Sequence, residues 1–436
     1  MNKIRASVMN VLILITMLAL AACAPVTAFI PNFTSTVTFT PTVNSPPTDL
    51  PTETSTLTPE PTFTTVSTVT PSTLALVNGT LIDGTGADAI LDAVVVVKNG
   101  QIVAVGPRMQ VKIPADAQII DVQGGAIRPG FINAHVHNAY SYTTLVLWAI
   151  AGVTTVRDLG APCSDSDDCR MYLKARDNLN AQPKNARLIA VGPLVTVPNG
   201  YPLAFHNFPA LAITSPNDAQ QKVGQLLDDG VDGVKIAIES GFPTLSFEET
   251  SAIVAIAHER HTWVSVHLTF SVDLEQAVKA GVDDVAHVVI DPLPEEWLQR
   301  MIADDIYLVP TLKAMEILNL PSRPHDEVTN LHRFVAAGGK VALGSDAGYI
   351  QGLKVGMPLD EILELKAAGM TPMQIIVAAT KNAAHVCGLE NEIGTLEVGK
   401  TADVFVVSGD PLQNLETLEN VQLVIHDGIV ILNEIH

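Results

Sequence analysis

Between residues 130 and 348 the chain repeats one pattern that leaves few folds open: a short apolar, β-branched segment, then a longer stretch with apolar residues at helical spacing. The short segments are GFINAHVH, GVTTVRDLG, ARLIAVGPLV, DGVKIAI, WVSVHLT, DVAHVV, IYLVPTL and VALGSDAG. Strands that alternate with helices in this way build a parallel sheet, because each return to the sheet needs a crossover. Eight of them suit an α/β fold of the (β/α)8 TIM-barrel type over residues 128–395, with its chemistry at the C-terminal ends of the strands. A doubly wound open sheet is the alternative, but no glycine-rich phosphate loop follows the first strand to favour it.

The flanks read differently. VVVVKNGQIVAVG places two β-branched runs on either side of Asn99-Gly100, and VQLVIHDGIVIL repeats the arrangement around Asp427-Gly428; both are hairpin signals. We therefore expect one small β-sandwich assembled from residues 73–127 and 396–436. Ahead of it, residues 24–72 are dominated by Thr, Pro and Ser, lack basic residues and show no periodic apolar face, as in an extended tether. Residues 1–23 have Lys3 and Arg5 before a short apolar run, the form of a secretory signal. That run ends in Leu20-Ala21-Ala22-Cys23, which resembles a bacterial lipobox, with Cys23 as the lipidated residue. The expected location is the extracytoplasmic face of the cell membrane, with the lipid anchor as the membrane contact.

With 25 basic against 46 acidic residues the net charge is −21, which disfavours nucleic acid as a partner. Of the four cysteines, Cys387 reads as a buried helix thiol, and Cys163 and Cys169 are spaced to close a small disulfide loop outside the cytoplasm. No C-x-x-C pattern is present, so a metal would need other ligands.

Polar residues at the strand ends supply such ligands. His135 and His137 sit at alternate positions of the first strand, so both point to one side, roughly 6.6 Å apart along it. Lys235 interrupts the apolar fourth strand, His267 and His287 lie on strands five and six, and Asp346 ends the eighth. Each has an ordinary reading, as a hydrogen-bonded core histidine, a helix cap or a snorkelling lysine. Six such residues at the strand ends of one barrel are better explained together, by a metal centre.

RPGFINAHVH, GVDGVKI, VSVH, DDVAH and GSDAG, with the closing block TPMQIIVAATKNAAHVCGLENEIGTLEVGKTADVFVVSGDPL, resemble in order the motifs of the amidohydrolase superfamily, in its imidazolonepropionase-like and prolidase-like dipeptidase branch. The resemblance runs over residues 74–436. It implies two divalent metal ions, zinc being expected: His135, His137 and Asp346 at one, His267 and His287 at the other. Lys235, carboxylated by CO2, would bridge them together with a hydroxide, and Asp346 would shuttle the proton. Histidine and carboxylate suit zinc, and a carbamate, unlike an amine, offers two anionic oxygens. Deaminases and imidazolonepropionase resemble a one-metal form without this lysine, so Lys235 points to the two-metal hydrolases of C–N amide bonds. A small-molecule substrate follows, a dipeptide or N-acyl amino acid.

Some positions depart from the pattern. Thr269 stands two residues after His267, where relatives carry Tyr or His, and Val288 stands where they carry Gly after the sixth-strand histidine. The loop after strand three is PNGYPLAFHN, which makes Tyr201 and His206 candidates for substrate contact. His258 and His261 in AHERH are not an H-E-x-x-H pair, and His325 and His332 read as surface residues. The same centre could instead serve a cyclic amide, lactone or ester, and a non-catalytic binding lipoprotein could keep the same scaffold.

Overall fold

A computed structural model of the chain describes residues 73–204, 208–318 and 326–435. The signal and tether regions with Cys23, and the histidines His206 and His325, lie outside these residues. The chain enters through β1 (Thr73–Leu81), β2 (Ile90–Lys98), β3 (Gln101–Pro107), β4 (Gln118–Asp121) and β5 (Ala126–Pro129). The barrel follows as β6 (Phe131–Val136), β7 (Val153–Asp158), β8 (Arg187–Ala190), β9 (Leu194–Thr196), β10 (Leu211–Ala212), β11 (Val234–Ala237), β12 (Val264–His267), β13 (Asp284–Ala286) and β14 (Tyr307–Val309). The last strands are β15 (Val404–Val407), β16 (Val421–His426) and β17 (Ile429–Asn433).

Both chain ends join one sheet, in the order β17-β16-β15-β5-β1-β2-β3, with β4 also pairing β1. Both expected hairpins are present, pairing Lys98 with Gln101 and His426 with Ile429. Asn99 and Gly100, and Asp427 and Gly428, all take positive φ, as a two-residue turn of this hand requires. The two turns also meet: a Cβ on Gly428 would fall 2.3 Å from the Gly100 Cα. Strand alternation divides the buried residues between two cores. Leu74, Leu76, Val95, Val97, Val404, Val406, Leu423 and Ile425 fill the sandwich, whereas Phe405, Val407 and Val424 turn towards the barrel. Phe405 meets Phe131 edge-on at 5.0 Å, and Gly152 sits where a Cβ would lie 2.6 Å from the Phe405 ring. The sandwich share of the chain extends through β5 to Pro129, two residues past the expected 127, because Ala126–Pro129 pairs antiparallel with β15.

The barrel wall is parallel throughout: β6 to β7 to β8, then β9 to β11, β12, β13 and β14. The segment expected as the third strand is broken into β8 and β9 around Gly192, which takes a φ of 71°. The eighth segment forms no regular strand. It closes the wall through isolated bridges, Leu308 to Val341 and Val136 to Ala347, and through the Ala134 N–H, which donates to Leu343 O at 2.7 Å. Gly344 has no room for a side chain, with Val309 Cγ1 2.4 Å and His135 Cβ 2.8 Å from a built Cβ, and Asp346 takes a φ of 60°. This kink carries the Asp346 side chain to the barrel mouth. The crossover helices start and stop where their ends dictate: Ser215 caps 216–229, which Gly230 ends in a left-handed turn, and Ser246 and Glu249 form a capping box on 247–259.

Candidate metal centre

The strand ends bring the sequence-derived ligands to one place. His135 Nε2 and His137 Nε2 are 3.3 Å apart and lie 3.3 and 3.2 Å from Asp346 Oδ1, so three ligand atoms already converge. His287 follows, its ring 4.9 Å from that of His135, and the His267 ring stands 4.9 Å beyond His287. Buried backbone bonds fix the geometry. The Asp346 N–H donates to His135 O at 2.8 Å, and Asn133 Nδ2 donates to Ser345 Oγ at 2.7 Å while its Oδ1 accepts from the Ser345 N–H. Thr311 Oγ1 engages His287 Nδ1 at 2.7 Å, leaving Nε2 for the centre.

Electrostatics favour neutral imidazoles and an anionic carboxylate here. Burial, with Lys235 next, drives His135 well below the ordinary histidine value, and burial does the same to His287. Burial opposes ionisation of Asp346, but the hydrogen bond from His137 leads the effects that outweigh it and hold the carboxyl below its usual value.

Lys235 provides the test of fit. Its side chain is 1% exposed, and its Nζ meets no hydrogen-bonding partner. Burial pulls the amine down to about 7. A lone buried amine costs free energy that the apolar strand around it does not return, whereas a neutral amine can take up CO2 and become an anionic bridging ligand. His135 Nδ1 and His137 Nδ1 are likewise buried without a partner. The donor set fits divalent metal.

Tyr201 also reaches the centre, stacked on the His267 ring at 4.3 Å and 6°. His258, His261 and His332 lie on exposed surfaces, and His258 bonds to Asp283 at 3.0 Å. Cys163 and Cys169 are joined by a disulfide, and Cys387 is a buried thiol.

The sequence reading missed four features around the centre: Thr311; the buried pair of Arg157 and Asp284; Glu239, whose Oε2 is 3.5 Å from His267 Nε2; and Tyr349, stacked on His137 at 5.2 Å. Glu239 could have been found by parity, since 235, 237 and 239 share one face of an extended strand. A second cluster of potential ligands, Asp403, His426 and Asp427, is an ion-pair network, because Arg187 reaches both carboxylates.

The sequence profile of the amidohydrolase family matches residues 126–431. Imidazolonepropionase from Geobacillus kaustophilus is 24% identical over 381 residues, which span 78% of this chain and 89% of that one. Among solved structures, a Xaa-Pro dipeptidase with bound methionine superposes with a TM-score of 0.72 at 24% identity, covering 82% of this chain and 99% of the other. A Bifidobacterium longum protein provisionally named a prolidase gives a TM-score of 0.72 at 28% identity, covering 83% and 94%. With the barrel, the sandwich built from both ends, and the histidine and aspartate cluster at the strand ends, the match over residues 126–431 makes this chain a member of the amidohydrolase family, a hydrolase built on a TIM barrel with a β-sandwich domain.

Proposed function

We propose that the chain is a binuclear metal-dependent hydrolase of amide bonds in dipeptides or N-acyl amino acids, held by lipidated Cys23 at the outer face of a membrane. The observation that carries the two-ion reading is Lys235, an unpartnered amine buried in the fourth strand beside the ligand cluster. His135, His137 and Asp346 would hold one ion, His267 and His287 the other, with Lys235 carboxylated between them. Zinc held there would polarise the scissile carbonyl and acidify the attacking water.

The chain's own groups do the rest. Asp346 is kept ionised, so its carboxylate can take the proton of the attacking water and return it to the leaving nitrogen. Thr311 and the Asn133–Ser345 pair keep His287 and the Asp346 turn in place through turnover. Tyr201 covers the outer face of His267 and excludes water from that side. The prolidase-like solved structures support the dipeptide part of the reading, and the barrel's ligand order supports the hydrolysis.

One observation favours a one-ion alternative. Among the described residues, His135, His137 and Asp346 are the barrel group whose ligand atoms already converge within 4.8 Å. Elemental analysis of the purified chain, wild type and Lys235→Ala, separates the two. We expect close to two zinc-like ions per wild-type chain, and loss of metal and of dipeptide hydrolysis in the variant. One ion in both proteins would move the chain to mononuclear chemistry; no metal and no turnover would refute the hydrolase.

A further inference from the structure

The loop that follows β11 holds an acid the proposed chemistry does not use. Glu239 is 6% exposed, and its Oε2 has no hydrogen-bond partner. Asp273, also 6% exposed, lies close enough for Glu239 to raise its carboxyl pKa, after the larger effect of burial. Among the described residues no lysine or arginine pairs with either acid; Asp273 instead accepts from the Ser240 N–H at 2.9 Å and from the Ser240 hydroxyl. The loop is held rigidly. The Glu239 N–H donates to Thr244 Oγ1 at 3.1 Å, and the Phe242 N–H to Glu239 O at 3.3 Å.

Two aromatic rings belong to the same neighbourhood, one on His267 and one three residues further along the loop. Tyr201 lies flat on His267, and Phe242 stands 6.3 Å from Tyr201, tilted by 58°. Glu239 Oε2 stands 3.5 Å from His267 Nε2, and Glu239 is not among the six ligands of the proposed centre. A buried carboxylate with no lysine or arginine to pair it costs free energy that a bound cation would recover, and an aromatic face can add attraction for an ammonium group.

We propose that Glu239, with the rings of Tyr201 and Phe242, receives a protonated amine on the substrate, so that the amide hydrolysed carries a free amino group on its acyl side. This rests on the amide-hydrolase reading and narrows it, to dipeptides and amino-acid amides rather than N-acyl amino acids. Its position against His267 places the amine next to the reacting carbonyl, as in an α-amino acyl group.

The test uses the full, zinc-loaded chain with Leu-Gly and N-acetyl-Leu-Gly, which offer the same scissile bond with and without the charge. Wild type should favour Leu-Gly in kcat/KM by about tenfold or more, the usual worth of a hydrogen bond to a charged group. In Glu239→Gln that ratio should collapse towards one, mainly through KM, with zinc content unchanged. Calorimetry should show leucine binding more tightly than N-acetyl-leucine to wild type, with the contrast lost in the variant. Equal or better cleavage of the acetylated peptide by wild type would overturn the proposal. So would a parallel loss on both peptides with loss of zinc, which would make Glu239 a positioning group for His267. Should neither peptide be cleaved, the amide-hydrolase reading fails, and the leucine contrast alone decides whether Glu239 receives an amine.

Discussion

Replacing Asp284 by alanine should destabilise the barrel more than any change on its outer surface. Asp284 on β13 and Arg157 on β7 are both fully buried and form a two-bond pair, Nη1 to Oδ2 at 2.8 Å and Nη2 to Oδ1 at 3.1 Å. Arg157 also donates to Ala134 O at 2.6 Å and Val386 O at 2.7 Å, Ser265 Oγ donates to Asp284 at 2.7 Å, and Trp263 stacks 4.6 Å under the guanidinium. The pair thus spans the barrel interior below the metal ligands. Burial would lower the Arg157 pKa, but Asp284 more than reverses this, so the guanidinium stays charged. Alanine at 284 leaves a guanidinium inside the barrel with two carbonyls for company, at a cost of about 3–5 kcal/mol. Unfolding entropy of about 2.1 cal/mol/K per residue over about 350 structured residues turns 4 kcal/mol into a Tm loss of about 5 °C. Calorimetric melting of wild type, Asp284→Ala and the double variant Arg157→Met/Asp284→Leu measures it. The double variant should recover most of the loss, because it removes both charges together. If Asp284→Ala melts within about 1 °C of wild type, the reasoning from an uncompensated buried charge is wrong.

Three further outcomes follow from other contacts. Thr311→Val removes the partner of His287 Nδ1 and should weaken zinc retention by about 10- to 100-fold in chelator competition, and unchanged retention would dismiss Thr311 as a ligand support. Stripping zinc should lower Tm by about 5 °C for each ion held near 1,000-fold above its dissociation constant, whereas an unshifted melt would argue against bound metal. The Arg187, Asp403 and His426 network joins β8 of the barrel to the sandwich, and its contribution should depend on pH. Burial works against the Asp403 charge, but His426 and Arg187 hold that carboxyl far below its ordinary 3.8, so its contribution is present above 3.8 and lost as pH falls through the lowered value. Burial also opposes protonation of His426, but Asp403 raises it above 6.5, so that contribution is complete below 6.5 and lost as pH rises through the raised value. Urea midpoints should therefore decline on the alkaline side in wild type and decline less in His426→Asn; parallel profiles would sink the assignment.

The barrel and its candidate ligands were legible because each sits against a plain background. His135, Lys235 and His287 break runs of Val, Ile and Ala, where a polar side chain has to be explained by what it binds. The hairpins were legible because Asn-Gly and Asp-Gly satisfy a turn geometry that few dipeptides can. The broken third strand and the irregular eighth were not, since each reads as one more short apolar segment in the series. The eighth is held irregular by long-range sterics: Gly344 is pressed between Val309 and His135, residues far from it in the chain. Arg157 gave no signal either, because its partner lies 127 positions away.

The same contrast explains why the ligands were found and the acid beside them was not. Glu239 stands in KIAIESGF, where the strand has given way to a loop and an acidic residue is unremarked. Only the fold shows that this loop is packed against His267 and tied to Asp273 through Ser240, so that an ordinary loop glutamate becomes a buried acid. Catalytic ligands are dictated by the strand and stand out from it. Substrate recognition is dictated by loops, whose polar composition conceals which carboxylate has lost its water. On the proposed reading, relatives sharing all six candidate ligand positions would differ in substrate through a single loop residue, and position 239 is the place to look for this chain's choice.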